Sequence, residues 1–290
     1  DSCVMGMVKG ETVHINPAPE TRYDDGDQLI VIAEDDSVIR ISTPVEADPR
    51  AISESAEFER LPEKTLVLGF NAELQAMLNE LNEYVAPGSS VMVVADMEPP
   101  VFLTCEGMTV RFQRGDITTR AVLESLDVQN FDHIIVLADK KTLEPQRADA
   151  KTLITLLHLR DIGDRAQVDL NVVSEMLDDR NRELAEVTKT DDFIVSDKLI
   201  SLMLSQVSEN KQLTEVFDTL FSSDGSEIYL RPAELYIRPG TSVDFYTVLE
   251  AAKRQGETAI GYRIAEHERS SEHAYGVTVN PKKRQKKPTG

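Results

Sequence analysis

Residues 65–85, TLVLGFNAELQAMLNELNEYV, open an alternation of strands and helices that decides the fold. The apolar run at 65–69 predicts a buried strand, and the apolar residues after it recur with the period of one helix face. A dinucleotide-binding fold carries G-x-G-x-x-G between such a strand and helix, so that the backbone approaches a pyrophosphate. Here residues 69–74 read GFNAEL, with one glycine and with Glu73 where the helix dipole would attract a phosphate. The pattern therefore predicts a nucleotide-type scaffold without its cofactor chemistry, which favours a regulatory domain.

Apolar strands and amphipathic helices continue to alternate as far as residue 188. The predicted strands lie at 91–95, 108–112, 134–137 and 168–173. One predicted helix follows the turn at 115–118 and ends at 126, and two more span 147–160 and 176–187. Continuously apolar strands that alternate with helices are typical of a parallel sheet with helices on both faces. Residues 63–188 are therefore predicted to form an α/β, Rossmann-like lobe.

The pattern changes after residue 188. Two apolar-faced helices, at 199–207 and 213–221, predict a helical hairpin within 189–222. Residues 223–290 predict a small α+β lobe, with strands at 227–230, 233–237 and 259–264 and a helix at 245–255. Residues 1–45 predict short strands at 13–15 and 28–32, and the polar segment 46–62 resembles a linker.

A short motif occurs twice. Residues 13–17 read VHINP, and residues 277–281 read VTVNP. The first copy is followed by GDQLIVI at 26–32, whereas the chain stops at Gly290 before any such strand follows the second. The repetition predicts two copies of one small lobe, the second of them cut short.

Composition limits the class of protein. Lys and Arg number 31 against 51 Asp and Glu, a formal net charge of −20, which argues against nucleic acid as a partner. Cys3 and Cys105 lack the spacing of metal ligands and are too few for a disulfide framework, so a reducing compartment is expected. No apolar run is long enough to span a bilayer. Because the sequence begins at Asp1 without a leader, we expect it to be cut from a longer chain.

The chain contains the segments LVLGFN at 66–71, QRGDIT at 113–118, DHIIVLAD at 132–139 and GDQLIVI at 26–32. Together these four segments resemble the RCK (TrkA-type) regulatory domain, and most closely the cytosolic gating-ring part of the Castor/Pollux ion channels, including bacterial members. The resemblance implies that 1–45 is the C-lobe remnant of a first RCK unit. It also implies that 63–290 is the N-lobe, hairpin and truncated C-lobe of a second. The implied partners are the channel's own pore domain, the rest of the first RCK unit and further copies in a ring on the cytoplasmic face of a membrane.

The candidate ligand site is the crease at the carboxyl ends of the parallel strands, where such sheets bind ligands. The residues expected to converge there are Gly69, Asn71, Asp96, Asp116, Asp139 and Glu175. RCK relatives use calcium, monovalent cations or nucleotides. The carboxylates of Asp96, Asp116, Asp139 and Glu175 favour Ca2+, with a nucleotide as the weaker alternative. No acidic cluster has EF-hand spacing, so a calcium site would be assembled from separate segments or subunits, and each carboxylate has the alternative of a solvated turn.

The helical hairpin is the candidate assembly surface. In RCK domains the corresponding element pairs two units, which places Met203, Leu204, Phe217 and Leu220 at an interface; the alternative is packing on their own lobe. The basic run KKRQKK at 282–287 is expected to be solvated or to contact anionic lipid.

The predicted function is that of a ligand-sensing gating-ring domain that regulates a cation channel, through Ca2+ or another cation at acidic sites. No catalytic triad, P-loop or catalytic metal motif is present in the sequence, so we do not expect an enzyme. Two alternatives stay open: a nucleotide-binding RCK subunit of a potassium transporter, and an NAD-dependent oxidoreductase.

Overall fold

The computed structural model describes most of the chain. The described residues are 2–18, 20–35, 39, 45–54, 60–101, 105, 107–181, 192–222, 225–267, 271–283 and 287–288. They divide into two compact units, one formed by residues 1–58 together with 212–290 and the other by residues 59–211.

The secondary structure follows the chain in this order. The strands are β1 (Ser2–Lys9), β2 (Thr12–Ile15), β3 (Gln28–Ala33), β4 (Lys64–Leu68), β5 (Ser89–Ala95), β6 (Met108–Arg114), β7 (His133–Val136), β8 (Val172–Met176), β9 (Asp192–Val195), β10 (Ser242–Val243), β11 (Gly261–Arg263), β12 (Val277–Val279) and β13 (Lys287–Pro288). The α-helices are α1 (Leu74–Tyr84), α2 (Arg120–Ser125), α3 (Pro145–Ala166), α4 (Ser196–Glu209), α5 (Leu213–Phe221) and α6 (Phe245–Arg254).

The unit at 59–211 is a doubly wound parallel sheet. Its strand order is β6-β5-β4-β7-β8-β9, and every neighbouring pair is parallel. Counted from β4 this is the order 3-2-1-4-5-6 of nucleotide-binding sheets, in which the winding reverses between β4 and β7. The predicted Rossmann-like fold class is confirmed, although the sheet continues through β9, beyond the expected lobe boundary at 188.

Helices cover both faces of this sheet. On one face Leu74 and Leu78 of α1 pack against Val67, and on the other Leu123 of α2 and Leu156 of α3 pack in a second cluster. All five side chains are essentially inaccessible to solvent. Each buried aliphatic side chain contributes about 1.5–3 kcal/mol to folding, so the continuously apolar strands are explained by burial on two faces.

Helix α3 is longer than the sequence predicted. The expected helix at 147–160 runs from Pro145 to Ala166, and two ion pairs one turn apart, Arg160–Asp164 and Asp161–Arg165, add a little stability at its polar end. The strand expected at 168–173 is consequently displaced to Val172–Met176. The helix expected at 176–187 is not found at its start, where Met176 ends β8, and residues 182–187 lie outside the described residues.

Two strands expected in the C-terminal segment are wrong. Residues 227–230 are irregular, and Ala233–Leu235 forms a single 3-10 turn. The β-branched and aromatic residues there find no partner strand among the described residues, and Pro232 lacks the N–H that a ladder needs. Only Ile237 forms an isolated bridge, to Ile52.

Residues of the expected linker contribute to the core of the unit formed by 1–58 and 212–290. Ala51 and Ile52 are buried together with Ile237, Val243 and Ala251. The amide of Arg238 also donates to the Ala51 carbonyl at 2.8 Å. Side-chain burial therefore extends into the polar stretch 46–62, where composition alone favours a solvated segment.

The repeated motif has the same structure in both places. In β1 and β2, Gly6 lies opposite Ile15, and in β11 and β12, Gly261 lies opposite Val279. A Cβ atom on Gly6 would lie 2.3 Å from the His14 carbonyl oxygen, and one on Gly261 would lie 2.2 Å from the corresponding oxygen of Thr278. Both hairpins are therefore built on a glycine that no other residue can replace without movement of the backbone.

The asparagine of each motif ends its hairpin in the same way. Asn16 has φ 50° and Asn280 has φ 49°, in the left-handed region that asparagine tolerates. The amide of Asn16 donates to the Met5 carbonyl, and that of Asn280 to the Ile260 carbonyl, each at 2.8 Å. The five-residue echo in sequence is thus a repeated hairpin in structure.

The first hairpin contacts the segment that leads into the second, within one unit. The Asn16 amide group donates to the Gly256 carbonyl at 2.7 Å, and the Thr258 hydroxyl donates to Asn16 Oδ1 at 2.7 Å. The Cys3 thiol lies 3.4 Å from the Ala259 carbonyl. The N-terminal and C-terminal segments therefore belong to a single compact unit, while their assignment to a first and a second RCK unit stays a prediction.

Lys283 departs from the expected solvated tail. Its side chain is 2% exposed and lies over the Phe245 ring, 5.7 Å from the ring centroid. Its ammonium donates to Asn280 Oδ1, and burial lowers the pKa of Lys283. The expectation for 282–287 is therefore wrong at Lys283, and residues 284–286 lie outside the described residues.

We expect Gly6→Ala to lower the free energy of unfolding by about 3 kcal/mol, because the new methyl group would overlap the His14 carbonyl. Gly10→Ala in the same hairpin is the matched control, since a Cβ there meets nothing within 4 Å and the cost is about 1 kcal/mol for its left-handed φ. Urea unfolding measures both values. Equal losses in the two variants would contradict the steric role of Gly6.

Candidate functional site

The crease forms where β4 and β7 end. Gly69 follows β4 with φ 102°, and its amide donates to the Val94 carbonyl at 2.9 Å. A Cβ at Gly69 would lie 2.5 Å from the Leu137 carbonyl oxygen. Here the glycine serves the close approach of two backbones, whereas in a dinucleotide fold the corresponding glycines admit a pyrophosphate.

Glu175 joins the ends of three strands. From β8, its Oε2 accepts from the Asn71 amide group at 3.0 Å and from the Ala138 backbone amide at 3.2 Å. Its Oε1 lies 2.6 Å from the Lys140 ammonium. The Glu175 side chain is largely buried, so these charge-assisted bonds are shielded from water.

Asn71 presents an unsatisfied acceptor at the same place. The residue is 5% exposed, and its Oδ1 has no hydrogen-bond partner within the part of the chain that the structure describes. A buried acceptor left in this state costs about 1–3 kcal/mol. Asn71 Oδ1 is therefore available to a donor or to a cation that enters the crease.

Asp116 and Asp139 cap turns beside the crease. Asp116 Oδ1 accepts from the Thr118 hydroxyl at 2.8 Å and from the Thr118 amide at 3.0 Å. Asp139 Oδ1 accepts from the Thr142 amide at 2.9 Å and the Lys141 amide at 3.3 Å, and its Oδ2 accepts from the Thr142 hydroxyl. Both side chains thus have the local partners of an Asx turn.

These hydrogen bonds keep both carboxylates ionised. The Thr118 hydroxyl, then the Thr118 amide, hold the pKa of Asp116 below its ordinary value of 3.8, against a smaller effect of burial. For Asp139, burial raises the pKa, but the bonds from Thr142 and Lys141 together outweigh it and the pKa is lowered. The positive charge of Lys151 on α3 lowers the pKa of both.

Asp96 lies apart from these contacts. Its half-exposed carboxylate is 3.4 Å from Arg114 Nε, and Arg114 also binds Glu98 at 2.6 Å. The structure therefore brings Asn71 and Glu175 together, places Asp116 and Asp139 near Lys151, and pairs Asp96 with Arg114. Among the described residues, no three His, Cys, Asp or Glu side chains lie close enough to hold a metal ion.

Sequence reasoning missed three charged residues that organise this region. Lys140 directly follows the predicted Asp139, and this position next to a candidate residue could have indicated that Lys140 belongs to the site. Lys151 and Asp149 lie in α3, where a polar helix position carries no sign of its role. Asp149 is fully buried and accepts from the Leu177 and Asp178 amides at 2.8 and 3.0 Å and from the Asn181 amide group at 2.7 Å.

An open cleft of about 860 Å³ lies beside the loop that Asp149 holds. Its walls are the start of α3, the loop after β8 and the start of α4, with Glu144, Pro145, Gln146, Leu177, Asp178, Asp179, Arg180, Lys198 and Ser201 as lining residues. Arg180 pairs with Asp178 at 2.6 Å, and Lys198 with Asp179 at 3.5 Å. The charges of the cleft are therefore largely matched within the chain.

The predicted interface residues lie on two helices of different units. On α4, Leu204 is 66% exposed and Met203 is half-buried, and Leu199, Ile200 and Leu202 are also exposed. On α5, Phe217 and Leu220 are half-buried. The boundary between the units falls at residue 211, between the two helices.

The chain is similar in sequence to two plant ion channels. It is 28% identical over 302 residues to the probable ion channel CASTOR of Oryza sativa subsp. japonica, covering 90% of this chain and 34% of that protein. It is 29% identical over 304 residues to the probable ion channel POLLUX of Arabidopsis thaliana, covering 91% of this chain and 37% of that protein.

The chain is similar in sequence to the Castor/Pollux ion channels. The resemblance inferred from its motifs is thereby confirmed over nine tenths of its length, and the chain spans about a third of the length of these relatives. No family model matches the chain. The crystal structure of the GsuK RCK domain aligns with all of this chain and with 53% of its own, at 15% identity and a TM-score of 0.39. Within the described residues, no helix combines the length and apolar character that crossing a membrane needs.

We expect Glu175→Gln to lower the free energy of unfolding by about 2 kcal/mol, because it removes the charge from a carboxylate with three partners. Glu98→Gln is the matched control: Glu98 also pairs with a cation at 2.6 Å, but it is 83% exposed, and a loss below about 0.5 kcal/mol is expected. Chemical unfolding of both variants tests the difference. The same loss in both would remove Glu175 as the residue that joins the strand ends.

The free energy of unfolding should also depend on pH in the acid range. Because the folded-state pKa values of Asp116 and Asp139 are lowered, their contribution is present above pH 3.8 and is lost as the pH falls through the folded-state values. We therefore expect Asp116→Asn to be less stable than the parent chain at pH 7, with a difference that shrinks towards zero below pH 3.8. Urea unfolding between pH 7 and about pH 3 measures it. Asp25→Asn, at an exposed turn, is the control, and a pH-independent difference for Asp116→Asn would contradict the assignment.

Proposed function

We propose that this chain is a ligand-sensing gating-ring domain that regulates a cation channel from the cytoplasmic side. The observation that carries the proposal is the similarity to ion channels over nine tenths of the chain, in a segment that folds as a doubly wound sheet. In such a sheet the crease between β4 and β7 is the place for a regulatory ligand.

The ligand that we propose is a cation, with Ca2+ first. Three features support it: the net charge of −20, the carboxylates of Asp116, Asp139 and Glu175 around the crease, and the unpartnered oxygen of Asn71. Calcium takes six to eight oxygen ligands. No single cluster among the described residues supplies that many. The proposed site is therefore shared between segments or copies, and binding would exchange the Lys140–Glu175 pair for metal–oxygen contacts.

The proposed mechanism is a change in ring geometry. Carboxylates that face each other across two units repel, and a bound cation turns this repulsion into attraction. The ligand then favours the geometry that binds it more tightly, and the pore responds in proportion to that difference in affinity. The exposed apolar face of α4 supports assembly with further copies, because side chains such as Leu204 are rarely grouped on a free surface.

The strand order favours a second candidate, a nucleotide sensor. The crossover between β4 and β7 is where doubly wound sheets bind nucleotides. Two features disfavour a nucleotide. The space beside Gly69 is occupied by the Leu137 carbonyl, and Glu73, immediately before α1, places a negative charge where a phosphate would bind. We propose no enzymatic activity for the chain.

Thermal unfolding of the chain in EDTA, then with Ca2+, Mg2+, Na+, NAD, NADH or ATP, tests both proposals. A ligand that binds only the folded state at 100 times its Kd adds about 2.7 kcal/mol, which raises the Tm by roughly 5 °C or more. We expect a rise with Ca2+ that is reduced in Glu175→Gln, Asp116→Asn or Asp139→Asn and unchanged in the control Asp25→Asn. An undiminished calcium response in all three variants would exclude these carboxylates, and a rise with nucleotide alone would favour the second candidate.

A further inference from the structure

The two oxygens of the Glu175 carboxylate have different kinds of partner. Oε2 accepts from the Asn71 amide group at 3.0 Å and from the Ala138 backbone amide at 3.2 Å, so it is held by the segments that follow β4 and β7. Oε1 lies 2.6 Å from the Lys140 ammonium. The carboxylate is therefore held in place through Oε2 independently of Lys140, and Oε1 is the oxygen at which one cation can replace another.

The Lys140 ammonium can leave Glu175 while the backbone stays where it is. The Lys140 side chain is 31% exposed, against 14% for Glu175, so its flexible stem reaches water while the carboxylate stays in the crease. The backbone amide of Lys140 is bonded separately, to the Ala138 carbonyl at 3.1 Å. The ammonium is thus a tethered monovalent cation at a carboxylate that other groups of the fold position.

A buried acceptor next to Glu175 is left unsatisfied. The Asn71 amide group that donates to Glu175 also carries Oδ1, which has no hydrogen-bond partner within the described ranges, although Asn71 is only 5% exposed. A buried polar atom in this state indicates a missing donor or ion. A metal ion takes several oxygen ligands at once, so it can use Asn71 Oδ1 in addition to Glu175 Oε1 when the ammonium has moved out.

We propose that Lys140 is the residue that makes the crease selective for divalent over monovalent cations. The inference rests on the proposed function, in which a cation is the ligand of the crease. A sodium or potassium ion brings the same single charge as the ammonium and must compete with a group that is tethered beside Glu175. A divalent ion brings a second charge and a strong preference for carboxylate oxygen, so it displaces the ammonium. Lys140 therefore sets both the threshold for Ca2+ and the exclusion of monovalent ions.

Lys140→Gln tests the proposal, because glutamine keeps a donor for Glu175 and removes the charge. The Kd for Ca2+ is measured by titration calorimetry in choline chloride at an ionic strength of about 0.15 M. We expect it to fall by about tenfold or more relative to the parent chain. Thermal unfolding is then compared after K+ or Na+ replaces choline at the same ionic strength. We expect a rise in Tm with either ion in Lys140→Gln and none in the parent.

Lys140→Met is a second variant, which removes the donor together with the charge. We expect the same two changes in it, and circular dichroism shows whether each variant keeps the fold of the parent. Lys9→Gln is the matched control, because Lys9 also pairs with a carboxylate, that of Asp24 at 2.7 Å, in the other unit. We expect Lys9→Gln to keep the parental Kd for Ca2+ and to show no response to K+ or Na+.

The outcomes separate this proposal from the proposed function. If the parent binds Ca2+ and both Lys140 variants bind it with the parental Kd, or if Lys9→Gln gains as much affinity, the role of Lys140 is overturned and the calcium ligand stands. If no chain binds Ca2+ but the Lys140 variants alone respond to K+ or Na+, the calcium ligand is overturned and the role of Lys140 in excluding monovalent ions is supported. No response to any cation in any chain overturns both.

Discussion

The crease depends on one buried carboxylate. Glu175 accepts from Asn71 after β4 and from Ala138 after β7, and it pairs with Lys140. These contacts tie together the ends of β4, β7 and β8, at the point where the winding of the sheet reverses. In a nucleotide-binding sheet the same space is kept open for a phosphate. Here protein groups fill it, so the proposed ligand would compete with the Lys140–Glu175 ion pair.

In the proposed domain, acidic groups would bind the ligand and exposed apolar side chains would contact other copies. The acidic groups beside the crease are each held by local donors, so their geometry is set before a ligand arrives. The apolar side chains of α4 are exposed, and in the proposed ring they would contact other copies. If a ligand moved one strand end relative to its neighbour, the sheet would transmit that movement to the contact at α4, because close-packed interiors transmit strain.

The repeated hairpin shows how far sequence similarity reaches. The five-residue echo was visible in the sequence. The two hairpins also share a steric constraint at Gly6 and Gly261, which lie in the partner strands outside the echo. The sequence did not indicate that Asn16 of the first hairpin bonds to Thr258, just before the second, since these residues are 242 positions apart. Contacts between distant segments leave no periodic signal, which is also why the buried Lys283 was expected to be solvated.

The sequence by itself determined the doubly wound sheet, the helices on its two faces, the loss of the glycine motif and the relation to Castor/Pollux channels. These features are local: burial on two faces requires continuous apolar strands, and a motif is read from neighbouring residues. Only the tertiary structure decided which polar groups meet. It separated Asp96 from Glu175, gave Asp116 and Asp139 their own turns and introduced Lys140 and Asp149 as partners. Such pairings depend on where strand ends and helix starts lie in space, and the chemical character of a residue does not encode that position.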